Sequence, residues 1–300
     1  MTSTATAVEC EICNSTGGKI YRVREMMFGF GDEFDYQECP SCGCLSLLDV
    51  PSDLSKYYPQ DYYSLLQSNK STVRKLRNRI YLSPLSFLVN WRERLDLDVI
   101  RRVKLRKDQK FLDVGCGAGL LLEDLRELGY DAEGVDPFVA SDIKDRFGIR
   151  VFKKSLDEVT GIYDVVFFRH SLEHMPRQLD VLRSARERVW PGGTCVISIP
   201  VIGWAWREYG ANWSQLDAPR HLFIHTIDSF TRVAEKAGFR IERVIYDSCD
   251  FQFWTSDLYR AGLPLHGSLP PSWFKRMPMR RRAKALNEAQ DGDSVQIYMS

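Results

Sequence analysis

The chain has 300 residues, of which 44% are hydrophobic and 27% charged, a balance that supports a buried core and excludes a chain disordered throughout. Its 41 basic and 40 acidic side chains give a formal net charge of +1, so the overall charge gives no reason to expect a polyanionic partner. No apolar run approaches the roughly 18 residues of a membrane-spanning helix, and the polar start Met1–Val8 lacks the features of a secretory signal. The sequence therefore predicts a cytoplasmic protein without a transmembrane segment.

Five of the eight cysteines lie within the first 44 residues. Four of them form two pairs with CxxC spacing, separated by two short predicted strands: Cys10 and Cys13, and Cys39 and Cys42. Thiolates with this spacing favour a tetrahedral, structural zinc ion, and we predict that residues 1–65 form a small zinc-binding, ribbon-like domain. Two alternatives stay open: four free thiols without a metal, and a ligand set in which Cys44 replaces Cys42.

Residues 66–107 are predicted to form a helical connector. Between Lys70 and Lys110 the chain is basic, and its apolar residues are spaced for one helix that Pro84 interrupts and a second from about Trp91 to Leu105. Three interpretations of this region are possible: a solvated helical cap, a surface for an anionic substrate, or a helix that lies on a membrane.

A strand–turn–helix–strand pattern begins after the connector. The predicted strand Lys110–Val114 runs directly into the glycine-rich turn Gly115–Gly119. A helix follows from Leu120 to Leu128, and the next strand, Asp131–Val135, ends at an acid, Asp136. This order is typical of the nucleotide-binding half of a doubly wound, Rossmann-like α/β fold. The glycines allow the backbone to approach a ligand closely, and the acid can accept hydrogen bonds from ribose hydroxyls.

The glycine spacing is G-x-G-x-G, whereas dinucleotide-binding folds have G-x-G-x-x-G. The runs FLDVGCGAG and GVDP, with Tyr163–Phe168 and Pro191–Pro200 in the same order, resemble the motifs of class I methyltransferases that use S-adenosylmethionine. The resemblance implies a seven-stranded, Rossmann-like methyltransferase sheet in residues 108–300. Phe239–Asp247 and Ser294–Ser300 would supply its last antiparallel pair.

The resemblance also implies how S-adenosylmethionine is bound. Asp113 would contact its ammonium group, the Gly115–Gly119 backbone would pass beside its methionine part, and Asp136 would accept both ribose hydroxyls. Phe138 would lie near the adenine, although an aromatic side chain there is equally compatible with a place in the core. The predicted cofactor-binding residues are Asp113, Gly115, Cys116, Gly117, Gly119, Asp136, Pro137, Leu156, Arg169 and His170.

Histidines indicate where the methyl acceptor binds. An alcohol or carbon acceptor must lose a proton, and a histidine with a near-neutral pKa suits that step. Four of the five histidines fall in two predicted loops at carboxyl ends of strands: His170 and His174, and His221 and His225. We predict His221 as the catalytic base, with Asp217 orienting its ring, and His170 as the second candidate. The structural alternative is that His221 and Asp217 only hold the surrounding loop in place.

That loop, Trp204–Thr226, contains three tryptophans and is predicted to cover the acceptor; we call it the lid segment. Its LDAPRHL run resembles methyltransferases from sugar and polysaccharide pathways, which often begin with a cysteine-rich zinc-binding module. The resemblance implies a small-molecule acceptor, a nucleotide sugar or glycan, methylated on a hydroxyl or a carbon. The alternative is an RNA base methyltransferase whose zinc ribbon grips RNA, with phosphate contacts from Lys275–Arg282. Nucleic acid is disfavoured because the net charge is close to zero and the fourth predicted strand lacks a following Asn-Pro-Pro-aromatic motif.

Overall fold

The computed structural model describes residues 8–59, 78, 80, 95–144 and 148–300. The first predicted connector helix lies outside these residues, apart from residues 78 and 80, which are both helical. The second overlaps helix α1 (Leu95–Val103). Among the described helices, none is both long and apolar enough to cross a membrane.

Three strands of the described N-terminal region belong to a small antiparallel sheet. Its first three strands are β1 (Lys19–Arg24), β2 (Glu33–Glu38) and β3 (Leu45–Leu47). The first two confirm the strands predicted between the cysteine pairs. The fourth strand is β10 (Phe223–Ile224), which pairs with β3 and belongs to the lid segment. The sheet in the predicted 1–65 region is therefore completed by a strand from the distant lid.

The second sheet is large and mixed. Its strands are β4 (Lys110–Val114), β5 (Asp131–Val135), β6 (Ile143–Lys144), β7 (Arg150–Phe152), β8 (Tyr163–Arg169), β9 (Val189–Pro200), β11 (Ile241–Tyr246) and β12 (Ser294–Met299). They lie in the order β11-β12-β9-β8-β4-β5-β7-β6. The five central strands from β9 to β7 are parallel, whereas β6 and β12 are antiparallel to their neighbours. The predicted last antiparallel pair is confirmed as β11 and β12.

The predicted count of seven strands is corrected to eight in the described part of the chain. The additional strand is β6, which has only two residues and pairs with the edge strand β7. It is held there because the carboxylate of Asp142 accepts a hydrogen bond from the backbone N–H of Lys153 at 2.8 Å. Such a short strand has too little hydrophobic alternation to be recognised in a sequence.

Helices cover both faces of the large sheet. After α1, the described α-helices are α2 (Leu120–Glu127), α3 (Gln178–Arg188), α4 (Trp204–Tyr209), α5 (Ile227–Lys236), α6 (Phe251–Arg260) and α7 (Trp273–Glu288). Alternate residues of the central strands point to opposite faces, as a pleated strand requires. Phe111 and Phe167 pack with α1 and α2, whereas their neighbours Leu112 and Phe168 pack with α3 and α5. Tyr36 and other residues of the small sheet belong to this second core, so the N-terminal region shares the core of the large sheet.

Candidate functional site

The glycine turn lies at the carboxyl end of β4, where open α/β sheets bind ligands. Gly115, Gly117 and Gly119 all have positive φ angles, of 73°, 54° and 79°. A Cβ on Gly115 would lie 2.5 Å from the Cβ of Ser171, so no side chain fits between this turn and the end of β8. The turn therefore presents bare backbone at this edge, as predicted for a loop that passes close to a ligand.

Asp136 follows β5 and fixes the shape of the turn. Its two carboxylate oxygens accept hydrogen bonds from the backbone N–H groups of Gly117, at 2.9 Å, and Phe138, at 2.8 Å. Its side chain is buried at the sheet edge. Because each carboxylate oxygen has more than one acceptor direction, these bonds leave capacity for two hydroxyl groups.

The structure brings several other predicted cofactor residues to the same place. Asp113 is fully buried at the end of β4, and Arg169 is half-buried at the end of β8. Burial, with the charges of Asp113 and Asp136, raises the pKa of the Cys116 thiol well above its usual value. The sulfur of Cys116 packs against Gly134 of β5, whose Cβ would lie only 2.5 Å away. Cys116 therefore contributes its backbone to the edge and its side chain to the core.

The remaining predicted cofactor residues differ in exposure. Pro137 is exposed, and the Phe138 ring is 85% exposed beside Asp136. Phe138 is thus available to stack on a planar group and is not a core residue. The side chain of Leu156 is buried in the core beneath a short 3₁₀ turn, residues 156–158. Only the backbone of Leu156 is available to a ligand.

His170 stands where β8 ends, with a φ angle of 50°. Its side chain is 49% exposed, and its Nδ1 lies 3.5 Å from Oε1 of Glu173. Desolvation lowers the pKa of His170, but Glu173 outweighs this effect and raises the pKa above its usual value. The backbone N–H of His170 donates to the carbonyl of Ser198 on β9, which anchors the residue to the sheet.

The lid segment is held by a fully buried arginine. Arg220 donates from Nε to Asp217 at 2.9 Å and also from Nη2 to the same carboxylate. Burial alone would raise the pKa of Asp217, but Arg220 lowers it to about 2. Arg220 also lies 3.6 Å from the buried Glu25 and donates to the carbonyl of Tyr57 at 3.0 Å. The lid is thereby tied to the N-terminal region.

His221 is buried inside this arrangement. Its Nδ1 donates to the carbonyl of Gln215 at 2.7 Å, and its Nε2 lies 3.8 Å from Asp217 and 4.0 Å from Glu173. Burial and the neighbouring His174 lower the pKa of His221 to about 4, so the ring is neutral at pH 7. His225, the other lid histidine, bonds to Gln178 and Ser229 and holds helices together.

A polar cavity of about 160 Å³ opens at the carboxyl ends of β8 and β9. Among its lining residues are Arg169, His170, Gln215, Asp247, Gln252 and Asp293. We call it the acceptor cavity. His221 is not among the lining residues. A larger groove of about 580 Å³ lies at the opposite end of the sheet, where β9 begins, away from the glycine turn and the histidines.

Two aspartates of the acceptor cavity are absent from the sequence-based predictions. Asp247 accepts hydrogen bonds from Ser294, at 2.7 Å, and Gln296, at 2.9 Å, and burial raises its pKa. Burial also raises the pKa of Asp293 to about 6, although the Nε1–H of Trp213 donates to it at 3.0 Å. Their place in the sequence could have indicated this role. Asp247 ends the first predicted strand of the last antiparallel pair and Asp293 precedes the second, at the edge where open α/β sheets bind ligands.

The four predicted metal-binding cysteines form one cluster. The sulfur atoms of Cys10, Cys13, Cys39 and Cys42 all lie within 4.8 Å of one another. The Cys10–Cys42 and Cys13–Cys39 sulfur distances are 3.7 and 3.4 Å. In a tetrahedral site with zinc–sulfur bonds of about 2.3 Å, the sulfur atoms are about 3.8 Å apart, so this donor set fits zinc. Cys44 is buried outside the cluster, 3.9 Å from Nδ1 of His225.

Comparison with known proteins adds to this geometry. Residues 88–244, more than half of the chain, match the family described as methyltransferase domain. The ubiquinone biosynthesis O-methyltransferase of Azorhizobium caulinodans is 35% identical over 108 residues, which cover 33% of this chain and 43% of that protein. The enzyme of the same name from Pectobacterium atrosepticum is 30% identical over 141 residues, covering 42% and 58%. The chain thus spans about half the length of these curated relatives.

Solved structures with a similar backbone include two methyltransferases. The geranyl diphosphate C-methyltransferase from Streptomyces coelicolor A3(2) aligns over 81% of this chain and 88% of its own, with a TM-score of 0.49 and 15% identity. An S-adenosylmethionine-dependent methyltransferase from Archaeoglobus fulgidus aligns over 71% and 96%, with a TM-score of 0.44 and 19% identity.

The family match includes the glycine turn, Asp136, both pairs of histidines and the lid segment. These residues lie on the mixed α/β sheet at the edge where its parallel strands end. The chain therefore belongs to the methyltransferase domain family, and this domain is of the class I, S-adenosylmethionine-dependent type.

Proposed function

We propose that this chain transfers a methyl group from S-adenosylmethionine to a hydroxyl group, or a carbon, of a small polyhydroxylated acceptor such as a nucleotide sugar or glycan. The observation that supports the acceptor class is the lining of the acceptor cavity. Carboxylates of Asp247 and Asp293 and the amide of Gln252 stand at its wall; Gln252 and Asp293 are buried and Asp247 is partly buried. Such groups bind an acceptor that offers several hydroxyls, because each hydroxyl can both donate and accept.

In this proposal the cofactor-binding site, which we call the cofactor seat, is formed by the glycine turn and the residues around it. Asp136 would accept the ribose hydroxyls, the exposed Phe138 would cover the adenine, and the buried Asp113 would face the ammonium group. The full set that we assign to the cofactor is Asp113, Gly115, Cys116, Gly117, Gly119, Asp136, Pro137, Leu156, Arg169 and His170. When bound, the cofactor supplies a sulfonium-activated methyl group for in-line displacement, so the protein's task is alignment of the acceptor.

Among the two candidate bases, the cavity supports His170 more than His221. His170 lines the acceptor cavity and is half-exposed, so its ring can reach an acceptor hydroxyl and accept the proton. His221 is only 6% exposed, and its Nε2 faces the carboxylates of Asp217 and Glu173. We therefore assign proton removal to His170 and place His221 in the support of the lid segment.

We also propose that the cysteine cluster, Cys10, Cys13, Cys39 and Cys42, binds one structural zinc ion. Four thiolates close the coordination sphere, so the ion would have no open position for chemistry. Its role would be to hold the two CxxC turns together beneath the lid segment. The carbonyl of Cys42 accepts a hydrogen bond from Thr226, the last residue of the lid, at 2.8 Å.

A second candidate acceptor comes from the relatives. Two curated relatives are named ubiquinone biosynthesis O-methyltransferase, with 30–35% identity over part of their length. This name favours oxygen as the methylated atom, and it makes a ubiquinone precursor the alternative to a sugar. An acceptor of that kind would present fewer hydroxyls to the polar wall of the acceptor cavity.

The test is turnover with labelled S-adenosylmethionine against four acceptor groups: nucleotide sugars, glycans, hydroxylated ubiquinone precursors and RNA. Mass spectrometry of the product then identifies the methylated atom. Label in a sugar or glycan that depends on Asp247 and Asp293 supports the proposal. Label only in the ubiquinone precursors replaces the acceptor class but keeps the reaction, and label only in RNA contradicts a small-molecule acceptor.

A further inference from the structure

Glu173 is enclosed between the end of β8 and the lid segment. Its side chain is 1% exposed, and among the described residues neither carboxylate oxygen has a hydrogen-bond partner. The nearest ring nitrogens are Nδ1 of His170 at 3.5 Å and Nε2 of His221 at 4.0 Å. A buried carboxylate without hydrogen bonds is strongly unfavourable unless a cation lies beside it.

Two imidazoles near Glu173 each have Nδ1 beside a backbone carbonyl. Nδ1 of His174 lies 2.8 Å from the carbonyl of Arg220, and Nδ1 of His221 lies 2.7 Å from the carbonyl of Gln215. Because a carbonyl only accepts, each Nδ1 carries the proton in these bonds, and each Nε2 keeps its lone pair. Histidines that bind metals almost always donate their other ring N–H to a carbonyl or carboxylate in this way.

The three side chains also converge. One ligand atom from each of Glu173, His174 and His221 lies within 4.8 Å of the others, and the two rings are 4.6 Å apart between centroids. The nearby Asp217 does not join them, since Arg220 occupies its carboxylate. The cysteine cluster is a separate donor set, built of thiolates from the N-terminal region.

We propose that Glu173, His174 and His221 bind a divalent transition-metal cation. Two imidazoles and one carboxylate form a donor set that both Zn²⁺ and Fe²⁺ use, and three protein ligands leave at least one coordination position open. The cation satisfies the buried carboxylate and joins the chain after β8 to the lid segment. The site lies beside His170, but its existence does not depend on the proposed reaction or acceptor.

The test is metal stoichiometry in protein purified without chelator, loaded with Zn²⁺ and freed of excess ion. We expect two zinc ions per chain in the wild type and one in Glu173→Gln and in His221→Asn. Glu235→Gln, a change of the same type at an exposed position on α5, keeps two. Cys39→Ser removes a thiolate of the cysteine cluster and keeps the ion bound by Glu173, His174 and His221.

Cobalt distinguishes the two sites in the wild-type protein itself. Wild-type protein titrated with Co²⁺ shows thiolate charge-transfer absorption for the cysteine cluster and, as a second event, visible bands without it. Loss of only that second event in His174→Gln supports the proposal. Equal metal content in wild type and Glu173→Gln, or a Co²⁺ titration with the thiolate event alone, overturns it and leaves Glu173 as the ionic partner of His170. Cofactor binding, measured separately, reports on the proposed function.

Discussion

The cofactor seat and the acceptor cavity lie on the same edge of one sheet, but they are assembled differently. Most of the proposed cofactor seat comes from one stretch, Lys110 to Phe138, and the Asp136 carboxylate binds the backbone of Gly117 within that stretch. Leu156, Arg169 and His170 complete the seat. The acceptor cavity takes side chains from β8, from the lid segment, and from the end of the β11–β12 pair where β11 finishes and β12 begins. The first region depends on local chain geometry, whereas the second exists only when the whole domain is folded.

The largest effect that separates the two regions is expected from His170→Asn. Asparagine tolerates a φ of 50°, so the backbone should be unchanged. Loss of the proposed base should lower turnover by roughly 10²–10⁴-fold, with a much smaller effect on cofactor affinity, which His170 shares with the nine other residues assigned to the cofactor. Steady-state kinetics and calorimetry measure the two quantities, with His266→Asn as the control. Wild-type turnover in His170→Asn would remove this residue as the base.

Asp136→Ala should have the opposite profile. It removes the proposed acceptor of the ribose hydroxyls and the acceptor of two backbone N–H groups, so cofactor affinity should fall by roughly 10–100-fold, or about 1.5–3 kcal/mol. Turnover at saturating cofactor should change little. Isothermal calorimetry checks the affinity, and Asp180→Ala on the exposed face of α3 is the control. Unchanged affinity in a folded variant would exclude Asp136 from the seat.

Removal of the zinc proposed for the cysteine cluster should affect the acceptor side only. The lid segment pairs with β3, and the Tyr36 hydroxyl donates to the carbonyl of His221 at 2.7 Å. Cys39→Ser should therefore raise the acceptor KM by about tenfold, a cost of about 1.4 kcal/mol, while cofactor affinity stays the same. Kinetics with Ser41→Ala as the matched control tests this. An equal loss of cofactor affinity would argue against the division into two regions.

The last prediction concerns the stability of the acceptor cavity rather than binding or turnover. Asp293 has a pKa of about 6 in the folded protein, against roughly 3.9 when unfolded. Between these values only the folded state keeps the proton, so the free energy of unfolding falls as pH rises from about 4 to 6 and stays low above. Asp293→Asn should therefore be more stable at pH 8 by up to roughly 3 kcal/mol, with little change at pH 4. Thermal unfolding at both pH values, with Asp180→Asn as control, measures this; equal effects at both would contradict it.

The same contrast explains what could be predicted from the sequence. The strands β4 and β5 and the glycine turn follow from hydrophobic pattern and spacing, the β11–β12 pair follows from the resemblance to class I methyltransferases, and the structure confirms all of them. The clustering of the four cysteines follows from their spacing as well. Each of these features depends on a short stretch of chain or, for the cysteines, on the repeated CxxC spacing.

The acceptor side could not be predicted to the same depth. Nothing in the local sequence places Glu173 against two histidines, or Asp247 and Asp293 in one cavity, because these contacts arise from tertiary packing. The two-residue strands β6 and β10 could not be predicted from the sequence either, because such short strands form only by pairing with a neighbouring strand. The burial of His221 is a further example, because a histidine in a loop is ordinarily expected at the surface.

The buried Arg220 has a consequence for how this protein can diverge or be recombined. Its guanidinium donates to Asp217 of the lid, lies beside Glu25 and donates to the carbonyl of Tyr57. One positive charge therefore interacts with three stretches that are distant in sequence. A chimera that exchanges the first 59 residues for those of another protein must supply a carboxylate at the position of Glu25 and a carbonyl at that of Tyr57. Without these two groups the buried guanidinium of Arg220 loses partners, which destabilises the folded protein. The cysteine-containing region and the lid should therefore be exchanged together.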